Sequence, residues 1–160
     1  MANVLVVDDS TLMRRNLSAI LSDAGHTIVA EASNGELGVM EYKKRRPDLV
    51  TMDITMPVMD GIDAVKLIME HDPEAQIIMI SSLDQKFTVL TALQSGARHY
   101  IIKPFSPDKV LKVVNDVLGT SMKVTSGRQH NSYGSICDTI SDIGCSINNI
   151  NASIKKLDTE

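Results

Sequence analysis

Along the first three quarters of the chain, five short apolar runs alternate with longer stretches in which apolar residues recur at helical spacing. The runs Val4–Val7, Ile28–Ala32, Leu49–Asp53, Ile77–Ser81 and Tyr100–Ile102 have strand length. Most are apolar at consecutive positions, as in strands buried on both faces. Between them, Met13, Leu17, Ile20, Leu21 and Ala24 mark a first helix, Glu36–Arg45 a second and Ile62–Met69 a third. Phe87–Leu93 gives a fourth, and Val110, Val113, Val114 and Val117 a fifth. Gly25 and Pro47 stand where helix stops belong, and the basic run Lys43–Arg46 suits a solvated helix end with its negative dipole. Five strands alternating with five helices predict an α/β domain, a parallel sheet covered by helices on both faces.

The pattern changes after Gly119. Residues 120–135 are rich in Ser, Thr, Gly, Asn and Gln and read as a linker between a domain at 1–119 and a last segment at 136–158. In that segment Ile136, Ile140, Ile143, Ile147, Ile150, Ile154 and Leu157 alternate at spacings of four and three, a heptad seam. Asp138 and Asp142 fall early and Lys155 and Lys156 late, in keeping with the helix dipole. The other residues are poor helix formers, so the helix needs a packing partner. Isoleucine at both seam positions favours a trimer or tetramer through 136–157; docking on another protein or on the first domain are the alternatives.

Charge and size narrow the function classes. The net charge of -4 arises within residues 1–119, and the tail is neutral, so there is no basic field for nucleic acid or an anionic membrane. No run approaches the ~20 apolar residues of a membrane-spanning helix. Met1-Ala2-Asn3 leads straight into a strand, without a signal segment, so a cytoplasmic protein is expected. The 41 residues after Gly119 are too few for a catalytic or winged-helix output domain. Cys137 and Cys145 are read as free thiols, since a disulfide between positions eight apart on one helix is geometrically implausible.

Chemistry enters at the strand ends. Asp8-Asp9 follows the first apolar run, Asp53 ends the third and Lys103 follows the fifth. Taken singly, Asp8-Asp9 reads equally well as a helix cap with an acidic first turn. In open α/β sheets, however, ligands bind beyond the carboxyl ends of the strands, and carboxylates converging there need a cation to support their ionisation. Oxygen-only ligands suit Mg²⁺, which would neutralise charge in a phosphoryl transfer. Asp53, on the central strand, is the candidate nucleophile, with Lys103 and Ser81 as holders of phosphate oxygens.

The set Val-Asp-Asp-Ser (7–10), Asp-Ile-Thr-Met-Pro (53–57) with Asp60-Gly61, Ile-Ser-Ser (80–82) and Lys-Pro-Phe (103–105) closely resembles the receiver domain of two-component response regulators, most of all the stand-alone chemotaxis receivers of the CheY type. The resemblance covers roughly residues 3–118. It implies a flavodoxin-like doubly wound five-stranded parallel sheet of order 2-1-3-4-5. It also implies phosphorylation of Asp53 by a histidine kinase, with Mg²⁺ held by Asp8, Asp9, Asp53 and the backbone carbonyl of Thr55. Ser81 and Lys103 would contact the phosphoryl oxygens, and Tyr100 would be the switch aromatic that turns inward as Ser81 closes. A downstream protein would bind the surface of the fourth helix, fifth strand and fifth helix. Leu83 stands two residues beyond Ser81, where the family controls water access, and its bulk implies slow self-dephosphorylation.

Such a protein is a phosphoacceptor rather than an enzyme with a separate substrate. A phosphorelay intermediate passing its phosphoryl group onward is the alternative. An independent Mg²⁺-dependent phosphatase is disfavoured, because Thr55 stands where a second acid–base carboxylate would be needed. Tyr100 also reads as a core aromatic with a wet hydroxyl. Met52, Met56, Met59 and Met69 read as packing residues. His26, His71, His99 and His130 lack ligand spacing and are expected at the surface.

Overall fold

The computed structural model describes residues 1–121. The linker after Ser121 and the heptad segment at 136–158 lie outside the described residues. The strands are β1 (Asn3–Val7), β2 (Thr27–Ala32), β3 (Leu49–Met52), β4 (Ile77–Ser81) and β5 (His99–Ile102). The helices are α1 (Thr11–Asp23), α2 (Gly35–Arg45), α3 (Gly61–His71), α4 (Lys86–Gln94) and α5 (Pro107–Ser121). The strands form one parallel sheet of order β2-β1-β3-β4-β5, as the resemblance implies. Every strand begins at or one residue before the position that periodicity predicts. α5 runs two residues past Gly119, where the composition changes.

The three inner strands β1, β3 and β4 are buried along nearly their whole length, which is why they read as unbroken apolar runs. On one face Val4, Val6, Leu49, Ile78, Ile80 and Ile101 pack with Leu17 and Leu21 of α1 and with Val110, Val113, Val114 and Val117 of α5. On the other, Gly38 of α2 lies against Val7 and Met52, and α2, α3 and α4 follow one another across the sheet. Each fully buried aliphatic side chain contributes about 1.5–3 kcal/mol relative to exposure. The two faces together fix the register that brings the strand ends into line.

Polar caps start α1, α2, α3 and α5 at that same edge, whereas α4 begins without a side-chain cap. Ser10 Oγ accepts from Met13 N (3.3 Å), Asn34 Oδ1 from Leu37 N (2.9 Å), Asp60 Oδ1 from Asp63 N (2.9 Å) and Ser106 Oγ from Lys109 N (3.2 Å). Each satisfies an amide that the helix itself leaves without a partner.

His99 departs from the surface expectation. It is buried at the start of β5, and its Nδ1 accepts from the Tyr100 amide (2.9 Å). A polar residue opening a strand resembles a loop residue in sequence, whereas pairing with Ile78 carries it inside. His71 is exposed, His26 half-buried, and Lys43–Arg46 exposed. Among the described residues, no helix is long and apolar enough to cross a membrane.

Candidate functional site

Register places the charged residues side by side. Val7 pairs with Met52, so Asp8 and Asp53 each stand one residue beyond paired positions on neighbouring strands. The Asp53 amide donates to Val7 O (2.9 Å), extending the ladder by one step past the end of β3. Asp53 therefore follows β3 rather than ending it. Ser81 pairs with Ile102, and Lys103 N donates to Ser81 O (2.9 Å), which brings the lysine to the same edge.

Asp8, Asp9 and Asp53 offer carboxylate oxygens that all lie within 4.8 Å of one another. Asp8 and Asp53 are buried and Asp9 is exposed. Lys103 Nζ lies 2.8 Å from Asp8 Oδ2 and 3.4 Å from Asp53 Oδ2, with only 16% of its side chain exposed. Asp8 Oδ1 accepts from Ser10 N (2.8 Å), and Asp53 Oδ1 from Ile54 N (2.7 Å). Burial pushes the Asp53 carboxyl above its ordinary value; the Lys103 ammonium pulls it down, Asp8 adds to the push and the Ile54 amide opposes it.

One ammonium, paired with Asp8 and Asp53, stands against three carboxylates in the group, so the cluster retains excess negative charge. That excess, an all-oxygen donor set and one open side at Asp9 fit a hard divalent cation such as Mg²⁺. Thr55 is exposed in the loop after β3. Its carbonyl as a further ligand rests on the resemblance.

The loop carrying Asp53 is held from below by a close backbone approach. Gly61 N donates to Ile54 O (2.8 Å), and a Cβ at Gly61 would collide with the Asp53 carbonyl, so only glycine fits there. Ser81 is buried, and its Oγ accepts from Leu83 N (3.3 Å). Tyr100 is buried with its hydroxyl donating to Leu83 O (2.5 Å), and burial pushes the phenol up. The ring thus lies inward, and Leu83, half-buried, ties both expected switch residues through its backbone.

Asp8, Asp9, Asp53, Ser81 and Lys103 lie at adjoining strand ends, and Tyr100 lies within β5, two residues before its end. Sequence reasoning passed over Arg14, whose Nη1 donates to Asp8 O (2.7 Å) and whose Nε faces Glu31 Oε2 (3.4 Å). Its position four residues into a helix reads as solvated, and nothing in the spacing separates it from Arg15.

Residues 4–115 match the family model for the response regulator receiver domain. The chemotaxis protein CheY of Bacillus subtilis is 50% identical over 115 residues, covering 72% of this chain and 96% of that protein. CheY of Thermotoga maritima is 48% identical over 114 residues, 71% of this chain and 95% of that protein. A crystal structure of the CheX–CheY–BeF3–Mg²⁺ complex from Borrelia burgdorferi superposes with a TM-score of 0.71 at 44% identity, over 72% of this chain and 87% of that one. The acidic edge, the lysine across from it and these likenesses agree: the chain belongs to the response regulator receiver family, among its CheY-like members.

Proposed function

We propose that this protein is a phosphorylation-controlled switch in chemotaxis signalling, accepting a phosphoryl group on Asp53 from a histidine kinase. The observation that carries the reading is the Asp53 carboxylate, buried at the sheet edge beside two further carboxylates and within 3.4 Å of Lys103 Nζ. An Asp53 oxygen attacks the phosphorus in line; the new P–O bond forms as the donor's P–N bond breaks. The imidazole nitrogen leaves with its electron pair and takes up a proton. Asp8, Asp9, Asp53 and the Thr55 carbonyl would hold Mg²⁺, which supplies charge neutralisation at the phosphoryl oxygens. Lys103 turns from the carboxylates to a phosphoryl oxygen, and the Ser81 hydroxyl donates to another.

Phosphorylation adds about 1.5–2 negative charges at this edge. Ser81 is joined through Leu83 to Tyr100, so movement of the hydroxyl toward the phosphoryl group alters the loop before α4. The α4–β5–α5 surface is then the output face for a downstream protein, and two packings a few kcal/mol apart suffice for a population shift. The relative crystallised in complex with CheX supports a protein partner. The net charge of -4, without a basic field, supports neither nucleic acid nor an anionic membrane as partner, and a cytoplasmic setting is part of the proposal. The segment 136–157 adds self-association as a trimer or tetramer through its isoleucine seam.

Incubation with a small phosphodonor tests the reading. A long-lived phosphoryl group on the protein is expected, its formation dependent on Mg²⁺ and prevented by chelator added beforehand; continuous release of phosphate would instead indicate a phosphatase. In the same assay Leu83→Glu should shorten the phosphoryl lifetime severalfold by admitting water. Equal lifetimes would show that Leu83 does not shield the group.

A further inference from the structure

One side chain outside the acidic group, Arg14, bonds the peptide that joins Asp8 to Asp9, and its neighbours hold it in place. Arg14 donates through Nη1 to the Asp8 carbonyl (2.7 Å) and through Nη2 to Thr11 Oγ1 (3.2 Å), while its Nε faces Glu31 Oε2 at 3.4 Å. Ser18 Oγ donates to the other Glu31 oxygen (2.8 Å), so the edge strand β2 and helix α1 both anchor the guanidinium. Only 15% of the Arg14 side chain is exposed. A planar fork with donors in fixed directions can hold one carbonyl in one orientation, which a flexible ammonium cannot. The bond to the Asp8 carbonyl fixes the plane of the Asp8–Asp9 peptide. With the Ser10 N–Asp8 Oδ1 bond (2.8 Å), it sets the directions in which the two carboxylates leave the chain.

We propose that Arg14, held by Glu31 and Ser18, is a positioning residue that preorganises Asp8 and Asp9 for the divalent ion. The inference rests on the Mg²⁺ reading above and goes beyond it by naming what builds the site's affinity. Two effects of Arg14 oppose each other. Its positive charge disfavours a nearby dication, so removing charge alone would tighten binding. Loss of orientation weakens binding, by about 10–100-fold where residues behind the ligands of other metal sites have been changed. Orientation wins here because the guanidinium bonds the peptide between the ligands directly, while its charge is already offset by Glu31.

Calorimetric titration of Mg²⁺ alone into the full-length protein separates these outcomes, with thermal unfolding of each variant measured without metal. Arg14→Met and Arg14→Lys should both weaken Mg²⁺ binding, by about 10-fold or more, although the lysine variant keeps the charge. Glu31→Gln, a change at a half-exposed side chain, should weaken it by a smaller factor and decides the matter should either Arg14 variant fail to fold. Affinity unchanged or increased in the folded variants overturns the proposal while leaving the metal site in place. Absence of Mg²⁺ binding by the wild-type protein overturns both.

Discussion

Tyr42 and Lys103 show how far a single side chain can be fixed by its neighbours. Lys103 compensates two carboxylates at once from a site with little water, so its removal leaves buried charge without a partner. Tyr42 is buried in α2, and its hydroxyl donates to Asp72 Oδ2 (2.8 Å), a bond that ties α2 to the end of α3. Burial and then the Asp72 hydrogen bond and charge push this phenol well above its ordinary 10. A folded-state value raised above the unfolded one favours folding fully below about pH 10. That contribution is lost as pH rises past 10 toward the folded value. Tyr42→Phe should cost about 1 kcal/mol near neutral pH. Urea unfolding at neutral pH and again above pH 10 should show the wild type losing more stability than the variant. Parallel losses would mean the phenol does not titrate differently on folding.

At the level of elements, the loop between β3 and α3 concentrates the strain. Val58 holds a φ of 69° and is 78% exposed, a left-handed conformation that a β-branched residue adopts only when its surroundings impose it. Gly61 pins the loop from the other side by its approach to the Asp53 carbonyl. Val58→Asn, which tolerates that conformation, should therefore stabilise the protein by about 1 kcal/mol, read as an upward shift of the urea midpoint with unchanged slope. An unchanged or lowered midpoint would mean that the exposed valine is stabilised by its setting. The strands and helices were legible because a buried strand is continuously apolar and a covering helix shows a 3.6-residue stripe. Their ends were less so. His71, Lys86 and Gln94 belong to helices but face water, and Thr27 and Asn3 pair at a strand start without being apolar. The acidic residues and Lys103 could be found because a charge following an apolar run is unusual. Arg14, Glu31 and the buried His99 could not, since their roles depend on which element lies opposite.

For the whole molecule, the doubly wound sheet places Asp8, Asp9, Asp53, Ser81 and Lys103 at one edge, and the proposed switch would carry a charge added there through Ser81 and Leu83 to Tyr100. The described domain carries the acidic group, and the isoleucine seam of 136–157, outside the described residues, is proposed as a second means of association. Light scattering of the full-length protein should report a trimer or tetramer, and a version ending at Ser121 a monomer. Identical masses would rule out assembly through the tail.

The most direct measurement is intact-mass analysis, after treatment with a small phosphodonor and Mg²⁺, of the wild-type protein and of Asp53→Asn. The wild type should gain the mass of one phosphoryl group, lost when Mg²⁺ is chelated beforehand, and the Asn variant should gain none. Undiminished labelling of the variant would show that Asp53 does not accept the phosphoryl group.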